Sequence, residues 1–251
     1  MYDIAVRRHA LSLLSQGRSL SSVSRETGVS RAAVRAWRAR AEPLRRQRGC
    51  DACAGRPRRL GPDYAYLLGL YLGDGCLSAH PRTGGHYLRV ACANAWPGLI
   101  DACERAVRAV RPGAPVSRVP CPGHVSVVSH DRHWPCLFPQ HAPGMKHERP
   151  IALESWQREI VTTHPWEFLR GLIHSDGCRT TNWTERVVDG ERRRYEYPRY
   201  FFTNKSADIR RLCTGTMDAL GVRWRQAGPY NISVARRSSV ALMDAYVGPK
   251  R

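Results

Sequence analysis

Two related segments stand out in the chain: Leu67-Leu68-Gly69-Leu70-Tyr71-Leu72-Gly73-Asp74-Gly75 and Leu169-Arg170-Gly171-Leu172-Ile173-His174-Ser175-Asp176-Gly177. Both follow the pattern L-x-G-L-x-x-[small]-D-G, in which an apolar run ends in an aspartate and a glycine. The two aspartates are roughly 100 residues apart, about the size of one compact structural unit. The repeat therefore predicts two similar units in one chain.

The small residues of both segments are spaced to share one face of a helix. Gly69 and Gly73 are four residues apart, and so are Gly171 and Ser175. Small side chains at such positions let a second helix approach backbone to backbone. We therefore expect two motif helices that pack side by side.

Each predicted motif helix ends in a carboxylate, Asp74 or Asp176, followed by a glycine for which we expect the left-handed cap conformation. A carboxylate is unfavourable at the negative end of a helix dipole. Two such helices side by side would bring both carboxylates together, and divalent metal ions would balance their charge. The alternative interpretation is a pair of ordinary core helices with glycine caps.

These two motifs resemble those of the two-motif, single-chain LAGLIDADG homing endonucleases, over residues 64–247. The sixth motif position, often acidic in that family, is Leu72 in the first copy and His174 in the second. We interpret His174 as a packing or DNA-facing residue. The resemblance implies an α+β fold with a pseudo-symmetric pair of αββαββα units, whose motif helices form the interface and whose sheets form a saddle over double-stranded DNA.

The resemblance also implies a set of site residues. Asp74 and Asp176 would be catalytic and would hold Mg²⁺ together with Gly73 and Ser175 through backbone carbonyls. In related proteins a lysine lies upstream of a proline-apolar step before the second motif, and Lys146 would take that place as a catalytic residue that stabilises phosphate charge.

Lys146 has a competitor and an alternative interpretation. Arg149 lies closer to the Pro150-Ile151 step and could take the same role. A plain surface lysine in a loop is the alternative. Lysine is rare in this chain and occurs only at Lys146, Lys205 and Lys250, which favours a function for Lys146.

Apolar periodicity predicts the remaining elements of both units. The predicted strands cover residues 87–93, 124–129, 200–203 and 231–235, and the predicted helices cover residues 97–110, 154–161, 207–220 and 240–246. Alternate strand residues face the duplex in the family's fold, so basic residues of the sheets are expected DNA contacts. These are Arg89, Arg118, Arg199, Arg223, Arg225 and Arg236.

Residues 1–42 predict a three-helix DNA-binding domain that resembles the helix-turn-helix of transposases and small bacterial regulators. Its predicted helices cover residues 4–14, 20–26 and 31–40, with Gly28 in the turn and Ser30 as the N-cap of the third helix. The third helix would enter the major groove, with Ser30, Arg31, Arg35 and Arg38 as contacts. A generic three-helix bundle is the alternative.

Residues 43–62 form a predicted basic linker between this domain and the two units. Within it, Cys50 and Cys53 have the spacing of a zinc knuckle, but a tetrahedral Zn²⁺ site needs four ligands. Cys121, His124 or Cys136 could complete the site only if the fold brings them close. Residues 63–150 then hold the first unit with an inter-repeat segment, and residues 151–251 hold the second unit.

The composition of the chain restricts its partners. The 251 residues carry 40 Lys+Arg against 21 Asp+Glu, a formal net charge of +19, which favours nucleic acid first and an anionic membrane second. No apolar run reaches the roughly 18 residues of a transmembrane helix, and no amphipathic anchor supports binding to a membrane surface. We expect a monomeric, cytoplasmic, nucleoid-associated bacterial protein that binds double-stranded DNA, without a membrane partner or a small-molecule substrate.

Two functions remain open at this point. The resemblance implies a Mg²⁺-dependent, site-specific DNA endonuclease, because both motif aspartates and an upstream lysine are present. The alternative is a catalytically silent transcription regulator, because some bacterial sporulation regulators join a degenerate LAGLIDADG domain to a helix-turn-helix. The added N-terminal domain fits regulation at least as well as cleavage.

Overall fold

The computed structural model describes residues 4–39, 60–80 and 84–250. The chain forms two compact units, Met1–Arg56 and Pro57–Arg251. Residues 43–59 of the predicted 43–62 linker, with Cys50 and Cys53, lie outside the described residues.

In its described part, the N-terminal unit consists of helices α1 (Ile4–Ser15), α2 (Leu20–Thr27) and α3 (Arg31–Ala39), within two residues of the predicted bounds. Two caps set the turn between α2 and α3. Gly28 takes the left-handed conformation with φ 68°, and the hydroxyl of Ser30 accepts a hydrogen bond from the backbone N–H of Ala33 at 3.2 Å. Apolar residues from all three helices form a small separate core, among them Ala10, Val23 and Val34.

The second unit repeats one order of elements twice. The first repeat comprises α4 (Pro62–Asp74), β1 (Gly75–Ala79), β2 (His86–Ala93), α5 (Pro97–Val110), β3 (Val116–Cys121), β4 (His124–Asp131) and α6 (Trp134–Leu137). A 3-10 turn (Lys146–Glu148) and helix α7 (Ser155–Thr163) lead to the second repeat. That repeat comprises α8 (Pro165–Asp176), β5 (Gly177–Val188), β6 (Glu191–Thr203), α9 (Ala207–Ala219), β7 (Arg225–Gly228), β8 (Asn231–Val234) and α10 (Arg237–Tyr246).

The two sheets share one topology. In the described residues each is antiparallel and four-stranded, with the orders β1-β2-β4-β3 and β5-β6-β8-β7. The predicted αββαββα order of both units is therefore confirmed. One continuous apolar core includes residues of both repeats, with Leu67 and Leu88 from the first and Leu172 and Phe202 from the second. None of the helices in the described ranges is long and apolar enough to cross a membrane.

The two motif helices, α4 and α8, approach each other backbone to backbone, as the small-residue spacing predicts. A Cβ atom added at Gly69 would lie 2.5 Å from the carbonyl oxygen of Phe168. One added at Gly171 would lie 2.9 Å from the Cα of Gly69 and would collide with the carbonyl oxygen of Tyr66. Because backbone atoms cannot move aside as side chains can, glycine is required at both positions.

The prediction that the glycines after the motif helices adopt the left-handed conformation is wrong. Gly75 has φ −89° and ψ 151°, and Gly177 has φ −109° and ψ 172°. Both are extended because each helix passes directly into a strand, β1 or β5. Glycine is needed there for space instead, since a Cβ at Gly75 would lie 2.5 Å from the Cα of Tyr71.

The second repeat carries a long hairpin that its first counterpart lacks in the described residues. Strands β5 and β6 have 12 and 13 residues, against 5 and 8 for β1 and β2. Strand β6 pairs with β8 only over Tyr200–Thr203, so the rest of the β5–β6 pair extends beyond the sheet as a two-stranded ribbon. Its turn holds Asp189 and Gly190 with φ 54° and 83°, the Asp-Gly signature of a tight hairpin.

Substitution of Gly171 by alanine tests the close helix contact. We expect Gly171→Ala to lower the free energy of unfolding by about 1–3 kcal/mol, because the added methyl group overpacks backbone against backbone. The control is Gly215→Ala in helix α9, where a Cβ meets nothing within 4 Å. It should raise stability by about 0.5–1 kcal/mol. Urea denaturation measures both, and equal effects of the two substitutions would contradict the helix contact.

Candidate functional site

The C-terminal ends of the motif helices touch. A Cβ atom added at Gly73 would lie 2.5 Å from the Cβ of Ser175 and 3.0 Å from the Cγ of Asp176. The close packing of α4 and α8 therefore brings Asp74 and Asp176 into one site, as the two motifs predict. Asp74 is the more exposed of the two aspartates, with its carboxylate partly buried, and Asp176 is half-buried.

Burial raises the pKa of both carboxyl groups. Burial raises the pKa of Asp176 to about 6, and the negative charge of Asp74 adds to this rise. Asn204, at the end of β6, opposes it by donating a hydrogen bond from Nδ2 to the Asp176 carboxylate at 2.5 Å. Partial burial also raises the pKa of Asp74, against the positive charges of Lys250 and Lys146.

Lys146 lies at the end of helix α4. Its ammonium donates to the carbonyl oxygens of Tyr71, Leu72 and Gly73 at 2.5, 2.9 and 2.7 Å. Burial lowers the pKa of Lys146 to about 8, although both site carboxylates favour its charged form. The Tyr71 carbonyl also accepts from the backbone N–H of Gly75, and a cation at this place stabilises the negative end of the helix dipole.

The competitor for this role, Arg149, lies near the same helix, where its guanidinium donates a hydrogen bond to the Tyr71 side chain. Its guanidinium donates to the carbonyl oxygen of Gln140, in the segment between the repeats. Of the two side chains, that of Lys146 is the one that binds the carbonyl groups at the end of α4.

Lys250 is a site residue that the sequence analysis missed. Its half-buried side chain donates to the carbonyl oxygen of Ser175 at 2.9 Å. Burial lowers its pKa, and Asp74 and Asp176 favour its charged form. The scarcity of lysine in the chain was a signal that could have drawn attention to it. Asn204, whose amide donates to the Asp176 carboxylate, was not predicted as a site residue either.

The donor atoms fit a hard divalent cation. Two carboxylates, from Asp74 and Asp176, lie near the backbone carbonyls of Gly73 and Ser175, and oxygen is the ligand that Mg²⁺, Mn²⁺ and Ca²⁺ prefer. The hydroxyl of Ser175 is turned to its own helix, where it donates to the carbonyl oxygen of Leu172 at 2.9 Å. Only its carbonyl is therefore directed to the site, and both site carbonyls already accept a lysine ammonium.

The additional zinc ligands considered from the sequence do not come together. Within the part of the chain that the structure describes, no group of three or more His, Cys, Asp or Glu side chains could hold a metal ion. Cys121, His124 and Cys136 therefore form no such cluster with one another, while Cys50 and Cys53 lie outside the described residues.

Three of the expected DNA contacts lie on the sheet faces opposite the core. Arg89 lies between Leu88 and Val90, which are buried, so it faces the other side of β2. Its guanidinium lies 4.7 Å from the ring centroid of Tyr87. Arg225 is exposed on β7 and is paired in register with Ser233.

Arg199 also faces away from the core, but it is only 6% exposed. Its guanidinium bonds to the hydroxyl of Ser233 and lies 4.5 Å from the ring centroid of Phe201. Arg199 is thus held rigidly on its sheet.

The other three strand assignments need correction. Arg118 lies on the face of β3 that α5 covers, where its guanidinium pairs with Asp101 at 2.7 Å and with Glu104 at 2.6 Å, so it is not on the open face of the sheet. Arg223 and Arg236 are exposed, but they precede β7 and α10 and do not lie within strands.

His174 is a buried packing residue between the two motif helices. It is 5% exposed, and its Nδ1 atom lies at hydrogen-bond distance, 3.0 Å, from the hydroxyl of Tyr66. Burial lowers its pKa to about 4, and the neighbouring charge of Arg170 adds to this.

The coupling between the two carboxylates can be measured directly. We expect Asp74→Asn to lower the pKa of Asp176 from about 6, because the substitution removes a negative charge that raises it. Carboxyl ¹³C NMR titration in metal-free buffer measures this value. Asp244, whose pKa Arg179 keeps below its usual range, is the internal control. An unchanged pKa of Asp176 would show that the two carboxylates do not interact.

Comparison with known proteins gives structural neighbours only. No protein-family model matches the chain, and no curated protein matches it. The LAGLIDADG meganuclease I-AabMI bound to uncleaved DNA has 11% identity and a TM-score of 0.47, with 73% of this chain and 83% of that chain covered. I-DmoI in complex with DNA and Ca has 13% identity and a TM-score of 0.47, with 74% and 88% covered.

A third neighbour is full-length DUF199/WhiA from Thermatoga maritima, with 11% identity and a TM-score of 0.46, covering 79% of this chain and 60% of that chain. The chain is thus similar in structure, at low sequence identity, to LAGLIDADG homing endonucleases and to WhiA.

Proposed function

We propose that this chain binds double-stranded DNA and cleaves it at a specific site with the help of Mg²⁺. The observation that carries the proposal is the site at the ends of α4 and α8. There two carboxylates from equivalent positions of two repeats meet beside two lysines. Such a site can act once on each strand of a duplex, and its two halves differ in sequence, so it would read an asymmetric target.

The charge of the chain supports a duplex partner. The net charge is +19, and Arg89 and Arg225 lie on sheet faces that the core leaves open. The β5–β6 ribbon adds exposed Trp183 and Tyr195, with the guanidinium of Arg194 4.9 Å from the Trp183 ring centroid. Basic and aromatic side chains together suit contacts with phosphates and sugars.

The N-terminal unit supports a second DNA contact. Arg31, Arg35 and Arg38 are exposed on α3, while Val34 on the opposite face is fully buried. We propose that this face of α3, with Ser30 at its start, enters the major groove as in a helix-turn-helix domain over residues 1–42. We further propose a monomer, located with the nucleoid in a bacterial cytoplasm, since both halves of the site come from one chain.

The chain's own residues have distinct roles in this proposal. Asp74 and Asp176, with the carbonyls of Gly73 and Ser175, would hold the divalent cation, and Lys146 would place positive charge beside the phosphate under attack. A bound divalent cation would supply charge to the attacking and leaving oxygens of the phosphodiester.

One observation favours the alternative, a catalytically silent regulator. Both carbonyls proposed as metal ligands already accept a lysine ammonium. The site could therefore be neutral without metal, and the chain would then bind DNA without cutting it.

The first experiment tests DNA binding through its dependence on salt. Neutralisation of phosphates by arginine makes log K fall linearly with log salt, and each lost contact reduces the slope by about 1. We expect Arg31→Gln combined with Arg35→Gln to reduce the slope by about 2, measured by fluorescence anisotropy on duplex DNA. Arg118→Gln is the control with an unchanged slope, because Arg118 pairs with α5. Binding that does not respond to salt would contradict a duplex partner.

The second experiment separates cleavage from regulation. A target is first selected from random duplexes, and the protein is then incubated with it in Mg²⁺ or Mn²⁺. We expect nicking or double-strand cleavage that Asp74→Asn and Asp176→Asn each abolish, with DNA affinity retained. A wild-type protein that binds the target but never cuts it supports the regulator.

A further inference from the structure

Lys146 and Lys250 occupy equivalent places in the two repeats. Gly73 and Ser175 are the seventh residues of their motifs, directly before the aspartates. The ammonium of Lys146 lies 2.7 Å from the Gly73 carbonyl oxygen, and that of Lys250 lies 2.9 Å from the Ser175 carbonyl oxygen. The end of each motif helix thus accepts a hydrogen bond from one lysine, although the two lysines come from unrelated segments.

This pairing stands out against the composition of the chain. Arginine supplies nearly all of the 40 basic residues, and lysine occurs only three times. Two of the three lysines lie at this site. An ammonium is a compact point charge that can enter a cluster of carbonyl groups, whereas a guanidinium is a planar fork suited to carboxylates and phosphates.

The segment that carries Lys250 is held in place by the fold. Gly248 takes the left-handed conformation with φ 71°, and its N–H donates to the carbonyl of Met243 at 3.0 Å, which closes α10. Val247 before it is buried in the core at 4% exposure. The turn therefore directs the chain from α10 back to the end of α8.

The charges of the site then balance without metal. Asp74 and Asp176 supply two negative charges, and Lys146 and Lys250 supply two positive charges. We propose that Lys250 is a positioning residue that serves, with Lys146, as a built-in counter-cation of the acidic site, and that it competes with a divalent cation for the Ser175 carbonyl. The competition depends on the metal binding of the proposed function, whereas the charge balance does not.

The test uses the full chain without DNA. Lys250→Met keeps an unbranched apolar side chain and removes the charge, and Lys205→Met, at an exposed lysine before α9, is the matched control. Urea denaturation is followed in EDTA and in saturating Ca²⁺, and Ca²⁺ affinity is measured by isothermal titration calorimetry. We expect Lys250→Met to unfold at a lower urea midpoint than the wild type in EDTA but not in Ca²⁺. We also expect its Kd for Ca²⁺ to be several-fold lower than that of the wild type. Lys205→Met should match the wild type in both.

A double substitution separates charge balance from a merely structural contact. In an Asp176→Asn background, Lys250→Met should cost less stability in EDTA than it does in the wild type, because less charge needs balancing. A loss of the same size in both backgrounds and in both buffers, or no loss at all, would overturn the proposal. If Ca²⁺ binds neither protein, the competition and the metal-dependent part of the proposed function both fail, while DNA binding is judged by its own salt experiment.

Discussion

The contact between the backbones of α4 and α8 is the constraint on which the site depends. Gly69 and Gly171 leave no room for a Cβ atom, so the helices cross closely enough for Gly73 to meet Ser175 at their ends. Each motif helix then passes directly into an extended strand, at Gly75 after α4 and at Gly177 after α8. Two carboxylates are thereby forced together at the negative ends of two helices, where positive charge is needed.

Much of the fold was predictable because its signals are local. The 3.6-residue and two-residue periodicities placed most of the helices and four of the eight described strands, and the repeated motif predicted the close helix contact. The face of each strand was harder to predict, since a shift of one residue in register moves every side chain to the other side of the sheet. Arg118 was therefore assigned to the wrong face. The Asp189-Gly190 turn of the long ribbon was a local signal that went unused.

The candidate site was predictable only in part. Asp74 and Asp176 belong to the repeat itself, and Lys146 came from the resemblance. Lys250 contacts Ser175, 75 positions before it in the sequence, and Asn204 contacts Asp176, 28 positions before it. No spacing rule describes such contacts. The expected glycine caps failed because the chain after each motif continues as a strand and does not reverse.

The site thus joins a steric requirement, glycine at the helix crossing, to an electrostatic one, cations at the helix ends. Anomalous diffraction from crystals of the protein grown with duplex DNA and Mn²⁺ tests this account most directly. It predicts Mn²⁺ peaks within coordination distance of the carboxylates of Asp74 and Asp176, and none there in Asp74→Asn combined with Asp176→Asn. Mn²⁺ bound elsewhere, with both carboxylates still facing only lysine, would contradict the account.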